Sequence, residues 1–131
     1  MIVDTSALMA IILGEDERPV FEELILAVPA VAMSVVSTVE TTIALRARRR
    51  DADAARLADL LATLRIEVCS VDLQQGILAS EAFTRFGHGR NAARLNFGDC
   101  FVYALAKSRA DPLLFKGDNF RKTDLVAAWR P

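Results

Sequence analysis

Histidine is nearly absent. His88 is the one histidine in 131 residues, which removes zinc sites built on several imidazoles and any catalytic pair of histidines. Cysteine is scarce as well. Cys69 and Cys100 lack metal-ligand spacing and read as reduced core residues, Cys69 in a strand and Cys100 in a helix. No long apolar run is present. The stretch Ala7 to Leu13 is too short to cross a membrane and follows an acid. No basic segment precedes it as in a signal peptide, so the expected location is the cytoplasm. An excess of charge is missing too. Lysine and arginine number 16 against 17 acids, a net −1, so any nucleic-acid contact requires a local basic patch. Internal repeats, low-complexity tracts and linkers are not found. What is present is a 53% apolar composition, enough for a real core, and one domain over residues 1–131 is expected.

The opening residues organise the rest. Ile2 and Val3 are β-branched and start a run without polar alternation, as in a strand buried on both faces of a parallel sheet. Asp4 then stands at the strand's carboxyl end, with Thr5 and Ser6 able to cap the helix from Ala7 to Leu13. Ligands of open α/β sheets bind outside those carboxyl ends. Further on, helices are expected over Val20 to Val28, Ser34 to about Arg50, Asp51 to Arg65, Asp72 to about Phe86, and Asn96 to about Arg109. Strands are expected at Val31–Met33, Val68–Val71 and Leu113–Phe115, with Val126–Trp129 as a fifth, edge strand. The alternation predicts an α/β fold of three layers, with a central parallel sheet of about five strands between helices.

The acids carry the chemistry. Glu40 shares the helix side of Val36 and Ile43, whereas a lone carboxylate on an apolar face is costly unless paired or bound to a metal. Its rival reading is a capping box, Ser37-Thr38-Val39-Glu40. Asp99 has the same rival in Asn96-Phe97-Gly98-Asp99, yet it opens a helix apolar nearly all round. Asp118 follows the fourth strand, where a turn residue is the ordinary reading. Acids gathered at one end of a sheet, without histidine, suit hard divalent cations such as Mg²⁺ or Mn²⁺.

Asp4-Thr5-Ser6-Ala7, Glu40, Leu95-Asn96-Phe97-Gly98-Asp99-Cys100-Phe101 and Leu113 to Phe120 together resemble the PIN-domain ribonucleases, and among them the VapC toxins of bacterial type II toxin–antitoxin pairs. The resemblance spans nearly the whole chain. It implies a Mg²⁺- or Mn²⁺-dependent endoribonuclease, a homodimer, and silencing by a small VapB-type antitoxin. It assigns Asp4, Glu40 and Asp99 to the metal, with Ser6 and Asn96 as flanking polar positions. Asp118 is the nearest candidate for a fourth catalytic acid, offset by one from the family's register, and Asn119 stands at a neighbouring position often acidic in relatives. Arg85, Arg90, Arg94 and Lys116 are candidates for RNA phosphates. The Arg46, Arg48, Arg49 and Arg50 cluster reads as a solvated helix end. Two alternatives compete. An aspartyl phosphotransfer site would need an acid where Ser6 stands. A binding module with an impaired site would act through dimerisation or antitoxin capture.

Overall fold

The computed structural model describes residues 1–130. Four parallel strands form the sheet in the order β3-β2-β1-β4, where β1 is Ile2–Val3, β2 Val31–Ser34, β3 Ile66–Cys69 and β4 Leu113–Leu114. Ile2 aligns with Ala32 on one side and with Leu113 on the other. Successive strand residues point to opposite faces, and the two cores divide accordingly. Ile2, Ala32 and Leu113 join Ala82, Val102 and Leu105 on one face. Val3, Met33 and Leu114 join Leu8, Phe21, Ile25 and Leu61 on the other. This is the three-layer α/β/α arrangement expected from the alternation.

Helices α1 (Thr5–Leu13), α2 (Arg18–Ala27), α3 (Val35–Ala47), α4 (Asp51–Ala55) and α5 (Leu57–Thr63) follow in order, then α6 (Leu73–Phe86) and α7 (Phe97–Arg109). Five of the seven starts have a local cause in a capping side chain or a proline. Asp4, Ser34, Asp72 and Asn96 all accept backbone N–H bonds as N-caps. Pro19 occupies the first turn of α2. Gly14 closes α1 with φ +70°, a left-handed conformation suited to glycine. Among the described residues no helix is long and apolar enough to cross a membrane.

Several expectations change. The cap of α1 is Asp4 rather than Thr5 or Ser6. The helix expected over Asp51 to Arg65 is broken at Arg56, whose φ of −98° and ψ of 4° leave the helical region, so that Leu57 and Leu61 turn inward as a separate segment. β3 lies two residues earlier than expected because Ile66, not Val71, is the buried end of the ladder with β2. The fifth strand is reduced to one parallel bridge, Leu113 to Ala127. A two-residue β4 offers too short an edge for more, and Val126 is exposed. The apolar face expected on α3 is not the buried one. Val39 and Ile43 are 55% and 63% exposed, while Ser37, Thr41 and Leu45 are buried.

Candidate active site

Three carboxylates arrive at the carboxyl end of the sheet from three separate elements. Asp4 comes from the end of β1, Glu40 from the second turn of α3 and Asp99 from the first turn of α7. They line one cleft of about 700 Å³, together with Ser6, Thr5, Asn96, Glu15, Arg48 and Lys116.

Asp4 is buried. It accepts the Ser6 backbone N–H at 2.9 Å and a bond from the Ser6 hydroxyl. Burial pushes its carboxyl up to about 6; the Ser6 bonds oppose this, and the charges of Asp99 and Glu40 add to it. Ser6 is itself fixed, because its Oγ accepts the Lys116 backbone N–H at 2.9 Å. Glu40 accepts a 3.1 Å bond from the Thr5 hydroxyl. Its carboxyl is also raised, first by burial and then by Asp99. Asp99 and Asn96 form a reciprocal capping box with two bonds of 2.9 Å. Burial raises the Asp99 carboxyl, while the Asn96 backbone and the Asn119 side chain oppose the rise. For Asp99 the capping and the site readings therefore hold together: one oxygen caps the helix and the carboxylate still enters the cleft. The capping box considered for Ser37 and Glu40 does not form, since Ser34 caps α3 two residues before Val36.

Asp118 does not join the other acids. Its side chain is 77% exposed and faces Arg121 at 3.8 Å. Asn119, one residue on, is the turn residue whose side chain helps hold the Asp99 carboxyl down. Of the cations named for RNA, Lys116 lines the cleft. Its ammonium is held by Glu15 and Glu17 at 2.7 Å each, and both lie just past the Gly14 turn. Arg85 lies elsewhere, bound to Asp124 and the Tyr103 hydroxyl. Arg90 and Arg94 flank a separate hollow on the loop after α6, where Arg94 meets His88 at 2.9 Å. Sequence reasoning missed Thr5, Glu15 and Arg48 as cleft residues. Thr5 was legible only as a cap, and Glu15 and Arg48 only as solvated charges. Cys69 and Cys100 are free and buried, and burial pushes the Cys100 thiol up to about 11.

The acids fit a hard divalent cation. Among the described residues no cation pairs with Asp4, Glu40 or Asp99, since Lys116 is taken by the two glutamates outside the set. All three carboxyls are raised, which an ion would relieve. Three acidic side chains do not close into a ready-made cage among the described residues.

A parallel sheet with such acids at its carboxyl edge is an α/β site for charge-dense ligands. The PIN domain family model matches residues 1–126. A ribonuclease VapC of Mycolicibacterium smegmatis is 41% identical over 97% of this chain and 98% of its own. Ribonuclease VapC42 of Mycobacterium tuberculosis is 42% identical over 98% of both chains. The solved structure of Mycobacterium tuberculosis VapC20, described as a sarcin-ricin loop cleaving toxin, superposes with a TM-score of 0.76 at 24% identity, covering 99% of this chain and 98% of that one. VapBC2 from Rickettsia felis, bound to a DNA fragment from its promoter, gives 0.75 at 15% identity, covering 96% and 95%. The chain belongs to the PIN-domain family, on its VapC branch.

Proposed function

We propose that this protein is a Mg²⁺- or Mn²⁺-dependent endoribonuclease, the toxin of a type II pair acting in the cytoplasm and silenced by a VapB-type antitoxin. The observation that carries the reading is the convergence of Asp4, Glu40 and Asp99 in one cleft, their carboxyls raised and, among the described residues, none of them paired with a cation. The ribonuclease names of relatives matching nearly end to end support the same activity.

Asp4 and Asp99 would hold the ion, with Glu40 at its edge. When bound, a divalent cation supplies water activation and charge neutralisation at a phosphate. Glu40 is half-buried and raised, so it can take a proton from a water in the cleft. Ser6 fixes the Asp4 carboxylate in one orientation through its two donated bonds. Lys116 and Arg48 at the rim supply positive charge for the RNA backbone. Glu15 and Glu17 hold Lys116 in place until phosphate competes for it.

The rim also suits a partner. Met9, Leu13, Ile43 and Ala44 line the same cleft as the acids. An antitoxin segment with apolar residues around one arginine would fill it, the guanidinium pairing with the carboxylates. A homodimer is part of this reading, as the family resemblance implies. The test is cleavage of structured RNA by the purified protein with Mg²⁺, Mn²⁺ or EDTA, beside Asp4→Asn. Cleavage that persists in EDTA or in the variant would refute the assignment.

A further inference from the structure

Gly98 lies in the first turn of α7, one residue before Asp99, and is buried. Its backbone has no need of glycine, because its φ lies outside the left-handed region that L side chains rarely adopt. Glycine in a helix is otherwise unfavourable relative to alanine. The reason lies across the helix interface. A Cβ built on Gly98 would overlap the Oε1, Cδ and Oε2 atoms of Glu40. The entire Glu40 carboxylate occupies the volume that a side chain at 98 would fill. The carboxylate also accepts a hydrogen bond from the Thr5 hydroxyl. Gly76 offers a contrast. It too is helical, in α6, yet a Cβ there meets nothing within 4 Å.

We infer that Gly98 is a positioning residue: its missing side chain forms the seat against which Glu40 is pressed toward Asp4 and Asp99. The inference rests on the assignment of Glu40 to the cleavage site proposed above, but the seat itself is a property of the metal-free protein. Its atoms predict an unusual pair of effects. The colliding group is the tip of a flexible side chain, so Gly98→Ala leaves the fold intact and moves Glu40 off Thr5. Stability and activity should therefore part company.

The experiment uses the full chain as wild type, Gly98→Ala, Gly76→Ala, Glu40→Ala and the Gly98→Ala/Glu40→Ala double variant. Metal-free Gly98→Ala should melt at or above the wild-type temperature. Its crystal structure should show the Glu40 carboxylate no longer bonded to the Thr5 hydroxyl. RNA cleavage should fall tenfold or more in Gly98→Ala and stay within twofold in Gly76→Ala. The double variant should cleave no more slowly than Glu40→Ala, because without the glutamate the new methyl has nothing to displace. Should Gly98→Ala alone fail to fold, recovery of folding in the double variant would report the same collision, and failure to recover would overturn the inference. Glu40 still bonded to Thr5 in Gly98→Ala, or an equal loss from Gly98→Ala with and without Glu40, would also overturn it. A wild type that cleaves no RNA would instead sink the nuclease reading, while the crystal structure would still decide the seat.

Discussion

Replacing Asp4 by asparagine should make the metal-free protein more stable at neutral pH while abolishing cleavage. In the folded chain the Asp4 carboxyl is raised from its ordinary 3.8 to about 6, with burial as the largest cause. Between those values the native state binds a proton that the unfolded state has released. Stability from this group is therefore fully present below about pH 4 and is lost as pH climbs through 6. The difference corresponds to about 3 kcal/mol at neutral pH. Asparagine removes the charge and keeps an oxygen for the Ser6 N–H, so the α1 cap survives. It weakens the bond from the Ser6 hydroxyl, which costs roughly 1–2 kcal/mol. The net gain at pH 7.5 is then about 1–2 kcal/mol, or several degrees in Tm. The assay is urea unfolding of wild type and variant in EDTA from pH 4 to 7.5. The difference between the two proteins reports Asp4 together with its coupling to Asp99 and Glu40, while acids outside the cleft titrate alike in both. At pH 4, where the Asp4 penalty is nearly gone, the weaker Ser6 bond should leave the variant less stable than wild type by about 1 kcal/mol. A difference that does not change with pH, or a variant less stable at pH 7.5, would refute the burial argument.

Mg²⁺ or Mn²⁺ should raise the wild-type Tm by mass action, and Asp99→Asn should gain less; equal gains in thermal melts would place the ion elsewhere. Asp118→Asn should cleave RNA within about twofold of wild type, because Asp118 faces solvent and Arg121, whereas Asn119→Ala should slow cleavage by removing the amide that helps hold the Asp99 carboxyl down. Lys116→Met should raise KM for RNA and flatten its salt dependence in steady-state kinetics. Its effect on unfolding should stay below about 1 kcal/mol, as expected for exposed ion pairs.

The layers were legible because buried strands and N-caps write themselves locally. Ile2-Val3-Asp4 and Leu113-Leu114 read as strand ends from residue type alone, and Asn96 with Asp99 announced a helix start. The face of α3 was not legible, and hydrophobicity pointed the wrong way. Thr41 can be buried because its hydroxyl donates to the Ser37 carbonyl at 2.8 Å, a local bond that lets a polar residue face the interior, whereas the buried Ser37 hydroxyl has no partner among the described residues. Val39 and Ile43 are left outside. Glu40 does line the cleft, but not through an apolar stripe: the Thr5 hydroxyl bonds it and its carboxylate fills the space beside Gly98. Asp118 and Asn119 are adjacent and both polar, and only the turn after β4 decides which one turns toward Asp99. Glu15 and Arg48 read only as solvated charges, since their place at the rim exists only once α1, α3 and β4 have met.

The strand order has a consequence for biosynthesis. β1 lies between β2 and β4, and its partners Leu113 and Leu114 are translated more than a hundred residues after Ile2 and Val3. The Asp4 backbone N–H bonds the Leu114 carbonyl, and the Ser6 hydroxyl that orients Asp4 is fixed by Lys116. A nascent chain therefore carries Asp4 and Glu40 for most of its synthesis without the element that sets their geometry. Such non-local pairing is slow to form. The cleft is therefore completed only by the last strand of the sheet to leave the ribosome.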